Sequence, residues 1–115
     1  MRDPEVVPPE HLTEASKAFW TTIVADYRLQ RDEAGLQLLT LACEALDRCE
    51  EARAAVSKDG VTVTSRLGEV KAHPAVAIER DSRLAAVRIL RDLGLSPEDA
   101  AADKNRPAKV ASRQR

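Results

Sequence analysis

Gly60-Val-Thr-Val-Thr-Ser-Arg-Leu-Gly-Glu-Val-Lys-Ala-His-Pro74 is the only stretch of this 115-residue chain that alternates like a pair of strands. Val61-Thr62-Val63-Thr64 is β-branched throughout, which disfavours helix and suits a pleated strand. Leu67-Gly68 supplies a turn, and Glu69-Val70-Lys71 can return as the second strand. Val61 and Val63 would then face inward, Thr62 and Thr64 outward. A lone hairpin is marginal in water, so this one must rest on a helix or on a neighbouring subunit.

Helical patterns flank the hairpin on both sides. Upstream, Asp32 opens a long helix running to about Ser57, with Gly60 as the stop beyond it. Its apolar residues, from Leu38 to Val56, sweep an arc of roughly 200° at 100° per residue. An apolar arc that wide exceeds what two neighbours in a small monomer readily cover, so a second copy of the chain is the expected cover. The residues expected at that interface are Leu38, Leu41, Ala45, Cys49, Ala52 and Val56, joined by Val61 and Val63 of the hairpin.

Downstream, His73-Pro74 opens the next helix with proline at its first position. Val76, Ile78, Ala85, Ala86, Val87, Ile89, Leu90 and Leu93 form its apolar side, and Gly94 ends it. Charges on the opposite side suggest i,i+4 pairs such as Arg88 with Asp92. Ser96-Pro97-Glu98-Asp99 has the form of an N-cap and a first turn, so a short fourth helix is expected to fade by Asp103.

At the other end, Pro4, Pro8 and Pro9 hold residues 1–11 extended as a lead-in. Thr13 caps the first helix, on which Phe19, Trp20, Ile23, Val24 and Tyr27 share one face. That stripe holds every aromatic residue of the chain and reads as core. The domain reading is therefore a lead-in at 1–11, a helical oligomerisation domain at 12–103 with its hairpin at 61–71, and a basic flexible tail at 104–115. The fold expected is mainly α, three to four helices with one small β-hairpin between the second and third long helices.

Charge is uneven. The chain as a whole carries 18 basic and 19 acidic residues. Five of the basic ones, Lys104, Arg106, Lys109, Arg113 and Arg115, fall in the last twelve residues with no acid among them. Residues 1–103 thus carry 13 basic against 19 acidic, a net of −6. A basic terminus on an acidic body suits a phosphate backbone as partner, or a merely solvated tail. Arg66 and Lys71 of the hairpin are the second candidate DNA contacts.

Catalytic and metal-binding patterns are missing. The four glycines form no phosphate loop, and His11 and His73 stand apart as a solvated residue and a helix-opening residue. Glu50-Glu51 reads as helix surface. Cys43 and Cys49 lie six residues apart on one helix, about 9 Å along the axis and about 120° out of register, which excludes a disulfide between them. They read as small apolar residues in a reducing compartment. No apolar run is long enough for a membrane span, and no signal-peptide core is present, so a cytoplasmic protein without cofactor, metal or enzymatic activity is expected.

In order, the chain shows Pro-Pro-x-x-Leu12 before the Phe19-Trp20 helix, Asp32 opening a Leu/Ala helix, Gly60, the hairpin with Gly68, Lys71-Ala-His-Pro74, and a closing Leu93-Gly-Leu-Ser-Pro97. This ordered set, spanning about residues 8–97, resembles the small subunit of phage terminases, the DNA-packaging proteins of tailed bacteriophages. The resemblance implies a non-catalytic subunit that assembles into a ring in the host-cell cytoplasm. It further implies binding to double-stranded viral DNA at the packaging-initiation site, delivery to the large ATPase/nuclease subunit, and regulation of that subunit. A helical oligomeric DNA-binding regulator, antitoxin-like or a repressor module, would share the self-association and the basic terminus.

Overall fold

A computed structural model describes residues 3–95. The fourth helix expected from Ser96 and the basic cluster Lys104–Arg115 lie outside the described residues. The order of elements is helix α1 (Glu14–Tyr27), a 3₁₀ turn (Leu29–Arg31), helix α2 (Glu33–Asp59), strands β1 (Thr62–Thr64) and β2 (Val70–Ala72), and helix α3 (Pro74–Asp92). This is the expected mainly helical chain with a hairpin between its two longest helices.

Local chemistry sets the ends of each element. Thr13 Oγ1 accepts from the Ser16 amide to cap α1, and Asp32 accepts from the Gly35 amide to cap α2. His73 caps α3 by accepting from the Ala75 amide through Nδ1, with Pro74 in the first turn. Its Nε2 lies 3.0 Å from Asp59 Oδ2, so this helix-opening residue also ties the foot of α3 to the end of α2. Past α3, the Leu95 amide reaches back to the Leu90 carbonyl over Gly94, whose φ is +86°. That left-handed turn satisfies the last carbonyls, while Leu90 and Leu95 both pack against the core.

One turn is not readable from composition. Arg28 takes φ +53° at the end of α1, a left-handed conformation that costs a non-glycine residue roughly 1 kcal/mol. The reversal swings Leu29 into the core, where it is 2% exposed. Burial of that leucine offsets the strain.

The hairpin pairs Thr62 with Ala72, Val63 with Lys71 and Thr64 with Val70. Its second strand starts one residue later than expected because Glu69 closes the turn. The Ser65 amide donates to the Glu69 carbonyl, and Ser65 Oγ accepts from the amides of Leu67 and Glu69. Val63 is half-buried as expected, but Val61 is exposed although its carbonyl continues the ladder by accepting from the His73 amide.

The core sits at one end of the molecule. Leu12, Trp20, Val24, Leu29, Leu39, Cys43 and Leu93 form it, so the lead-in, all three helices and the 3₁₀ turn each contribute. Trp20 Nε1 donates to Thr40 Oγ1, and a polar clasp fastens α1 to α2. In that clasp Asp47 accepts from Thr13 through both its amide and hydroxyl, and from the buried Ser16 hydroxyl at 2.6 Å. Cys43 Sγ donates to the Ser16 carbonyl, and its burial beside Asp47 and Glu44 pushes the thiol pKa up to about 11. His11, expected to be solvated, is exposed but makes a 2.7 Å contact from Nε2 to Glu44 on α2.

Partial burial favours protonation of Asp47, but the hydrogen bonds from Ser16 and Thr13 outweigh it and hold the carboxyl below its ordinary 3.8. A depressed folded-state pKa stabilises the fold above the unfolded value and loses that contribution as pH falls through the folded one. Asp47→Ala is therefore expected to cost about 2 kcal/mol at pH 7, since it removes the acceptor shared by Thr13 and Ser16 and leaves the Ser16 hydroxyl only a 3.5 Å contact to the Cys43 carbonyl. The penalty should shrink when urea unfolding is repeated near pH 3.

Candidate assembly surface and nucleic-acid interface

Helix α1 begins at the level of Asp47, so the second half of α2 runs on past it. Only α3 and the hairpin remain to cover residues 48–59. The result is a two-helix arm, capped by the hairpin, that projects beyond the three-helix core. Its own buried side chains are small, Ala52 and Ala75, with Ala86 at its base. An alanine seam buries little area, so the arm gains little stability from within.

Most of the large exposed apolar side chains sit on this arm. Val61, Leu67 and Val70 belong to the hairpin, and Ile78, Leu84 and Val87 to α3. Leu67 is 96% exposed at the hairpin tip, where the Ser65 hydrogen bonds and Gly68 at φ +82° hold the turn in shape. Ile78 and Val87 had been expected on the apolar side of α3 and instead face solvent. Ala75, Ala86 and Leu93 mark the true inward face; Ile78 lies about 60° to one side of it and Val87 about 120° to the other.

The residues expected at a copy-to-copy interface divide into two sets. Leu41 and Val61 are exposed. Leu38, Ala45, Cys49, Val56 and Val63 are half-buried, and Ala52 is buried within its own chain. The wide apolar arc of α2 thus serves two intramolecular neighbours. Leu39, Thr40, Cys43 and Asp47 meet α1, while the stripe from Ala45 to Val56 lies on the side that α3 covers.

Charge is segregated along the same division. Residues 3–59 hold six basic against twelve acidic side chains, and residues 60–95 hold six basic against four acidic. Arg66 stands beside Leu67 at the hairpin tip, and Lys71 lies on β2 with Nζ 3.4 Å from Glu69. On α3, Arg83 pairs with Glu79 and Arg80 with Asp81. The expected Arg88–Asp92 pair does not form, and Arg88 and Arg91 make no ion pair with the described residues. Glu50 and Glu51 lie on the surface of α2, held by Arg53 and Arg48. Among the described residues no group of three His, Cys, Asp or Glu is placed to hold a metal ion, and no helix is long and apolar enough to cross a membrane.

The exposed pair Leu84 and Val87 was missed in the sequence because each is flanked by arginines and no simple apolar stripe results. The signal available was the spacing Arg80, Leu84, Val87, Arg91, which is i, i+4, i+7, i+11 on one helix face.

Among protein-family models, one described as phage terminase, small subunit, matches residues 16–108, most of the chain. No curated protein and no solved structure matches it. The match takes in α1, α2, the hairpin and α3, the same succession that carries the sequence resemblance. Such subunits serve DNA packaging and are generally non-catalytic. The chain belongs to the phage terminase small-subunit family.

Proposed function

We propose that this small terminase subunit forms a ring of several copies that binds viral DNA at the packaging-initiation site, delivers it to the large ATPase/nuclease subunit and regulates that subunit. The family match carries this reading. It also favours packaging over a free-standing antitoxin-like or repressor module. Action in the host cytoplasm follows from the same reading.

Self-association is supported by the arm, whose thin alanine seam and exposed Leu, Ile and Val side chains call for cover from outside the chain. Leu41, Val61 and the half-buried Leu38, Ala45, Cys49, Val56 and Val63 remain candidates for that surface, with Ala52 beneath them. For DNA, the candidates are the terminal cations Lys104, Arg106, Lys109, Arg113 and Arg115, with Arg66 and Lys71 of the hairpin as a second set. Contacts of these kinds grip phosphate without reading bases, so they give salt-sensitive binding of low sequence specificity. The reading is tested by titrating duplex DNA with the full chain and with a chain lacking residues 104–115, at two salt concentrations. Unchanged affinity would remove the tail from DNA binding and leave docking on the large subunit as its role.

A further inference from the structure

Besides the hairpin, two open features among the described residues differ from one another in shape and charge. The first is a groove of about 710 Å³ where the start of α1 meets the overrunning half of α2. Ala15, Phe19, Leu46 and Ala54 give it an apolar floor, and the carboxylates of Glu50 and Glu51 line its edge. The second is the outward stripe of α3, with Leu84 60% and Val87 47% exposed between Arg80 and Arg91, and Arg88 beside it.

These two features cannot meet within one chain. The stripe lies roughly 140° around α3 from the Ala75–Ala86–Leu93 face that packs inward, while the groove opens beside α1 on the other flank of α2. Their heights along the arm nevertheless agree. Asp59 meets His73 at the tip end, and Leu39 and Leu93 share the core cluster at the other. The interval from Leu39 to Asp59 is 20 residues, as is that from His73 to Leu93 (59 − 39 and 93 − 73), so the antiparallel helices stay in step. Leu84 and Val87 therefore sit at about the level of Arg48 and Ala45 on α2, alongside the groove residues Leu46 and Glu50.

We propose that the groove of one copy receives the Arg80–Leu84–Val87–Arg91 stripe of the next, as the repeating contact of the assembly. The inference rests on the self-associating reading above and adds which faces meet. Different faces in contact make a heterologous interface, and a rotation axis along the arm brings equal heights together and closes a ring. Leucine and valine cover the apolar floor while Arg80, at about the level of Ala52, approaches Glu50 and Glu51. The present partners of those acids, Arg53 and Arg48, are exposed surface pairs that exchange at little cost.

The test uses full-length protein. Leu84→Asp/Val87→Asp is expected to weaken assembly roughly 100-fold by native mass spectrometry or sedimentation, with helical content unchanged because both side chains are exposed. Arg80→Glu provides a second stripe variant that removes no apolar packing. Glu50→Arg/Ala54→Arg spoils the groove instead. Mixing a stripe variant with the groove variant leaves one intact stripe and one intact groove, so the mixture should form a one-to-one dimer and nothing larger.

Normal assembly of both stripe variants would overturn the proposal while leaving ring formation standing, as would a mixture that forms no dimer. Loss of assembly on removing residues 104–115, with the stripe variants unaffected, would assign the groove to the terminal cations and overturn it too. A native chain that stays monomeric would instead overturn self-association itself.

Discussion

Removing residues 104–115 should lower affinity for duplex DNA by two to three orders of magnitude at low salt. The five cations in that segment carry no acid among them, while residues 1–103 have a net charge of −6 that repels phosphate at a distance. Each neutralised phosphate contributes about −0.9 to the slope of log K against log salt, so five give about −4.5. A fourfold rise in salt, from 50 to 200 mM, should then weaken the tail's share of the binding roughly 500-fold. The shortened chain should keep a shallow slope from Arg66 and Lys71, each worth about one unit. Arg66→Ala and Lys71→Ala would reduce the slope further without changing which DNA sequences are preferred. A slope unchanged by the deletion would place the DNA contacts elsewhere.

Leu39→Ala should cost about 3 kcal/mol of folding stability. Leu39 is 0% exposed and belongs to the cluster holding Trp20, Cys43 and Leu93, so one cavity would loosen α1, α2 and α3 together. For a domain near 100 residues that loss lowers the melting temperature by roughly 15 °C. The change should appear as a lower urea midpoint with an unchanged m-value. By contrast Leu84→Ala, at an exposed position, should stay within about 0.5 kcal/mol in the unassembled chain. Comparing the two separates residues that make the fold from residues that make the assembly.

Much of the fold is legible in the sequence because its boundaries are chemical. Thr13, Asp32, His73-Pro74, Gly60 and Gly94 each mark a helix end through a cap, a ring constraint or a positive φ that few other residues supply. The hairpin is legible for a similar reason, since four β-branched residues followed by Leu67-Gly68 leave few alternatives. Arg28 is the counterexample: its left-handed conformation goes with burial of the next residue, Leu29, in the core, and nothing local announces it.

Faces proved harder to read than boundaries. The wide arc of α2 suggested a missing partner, yet α1 and α3 share much of it between them, since each can occupy a different flank of one long helix. Apart from Leu41 and the groove between α1 and α2, the unmet apolar surface lies on α3 and the hairpin, where Leu84 and Val87 are interleaved with arginines. Periodicity finds an apolar face, but how far a neighbouring helix reaches decides which part of it stays open. Here α1 starts at the level of Asp47, and the arm beyond it is left to be covered by other means.

Native mass spectrometry of the full-length chain at micromolar concentration tests the central claim most directly. The account predicts one closed species whose mass is an integer multiple of 12.6 kDa and larger than a dimer. A spectrum containing only the 12.6 kDa monomer would contradict it.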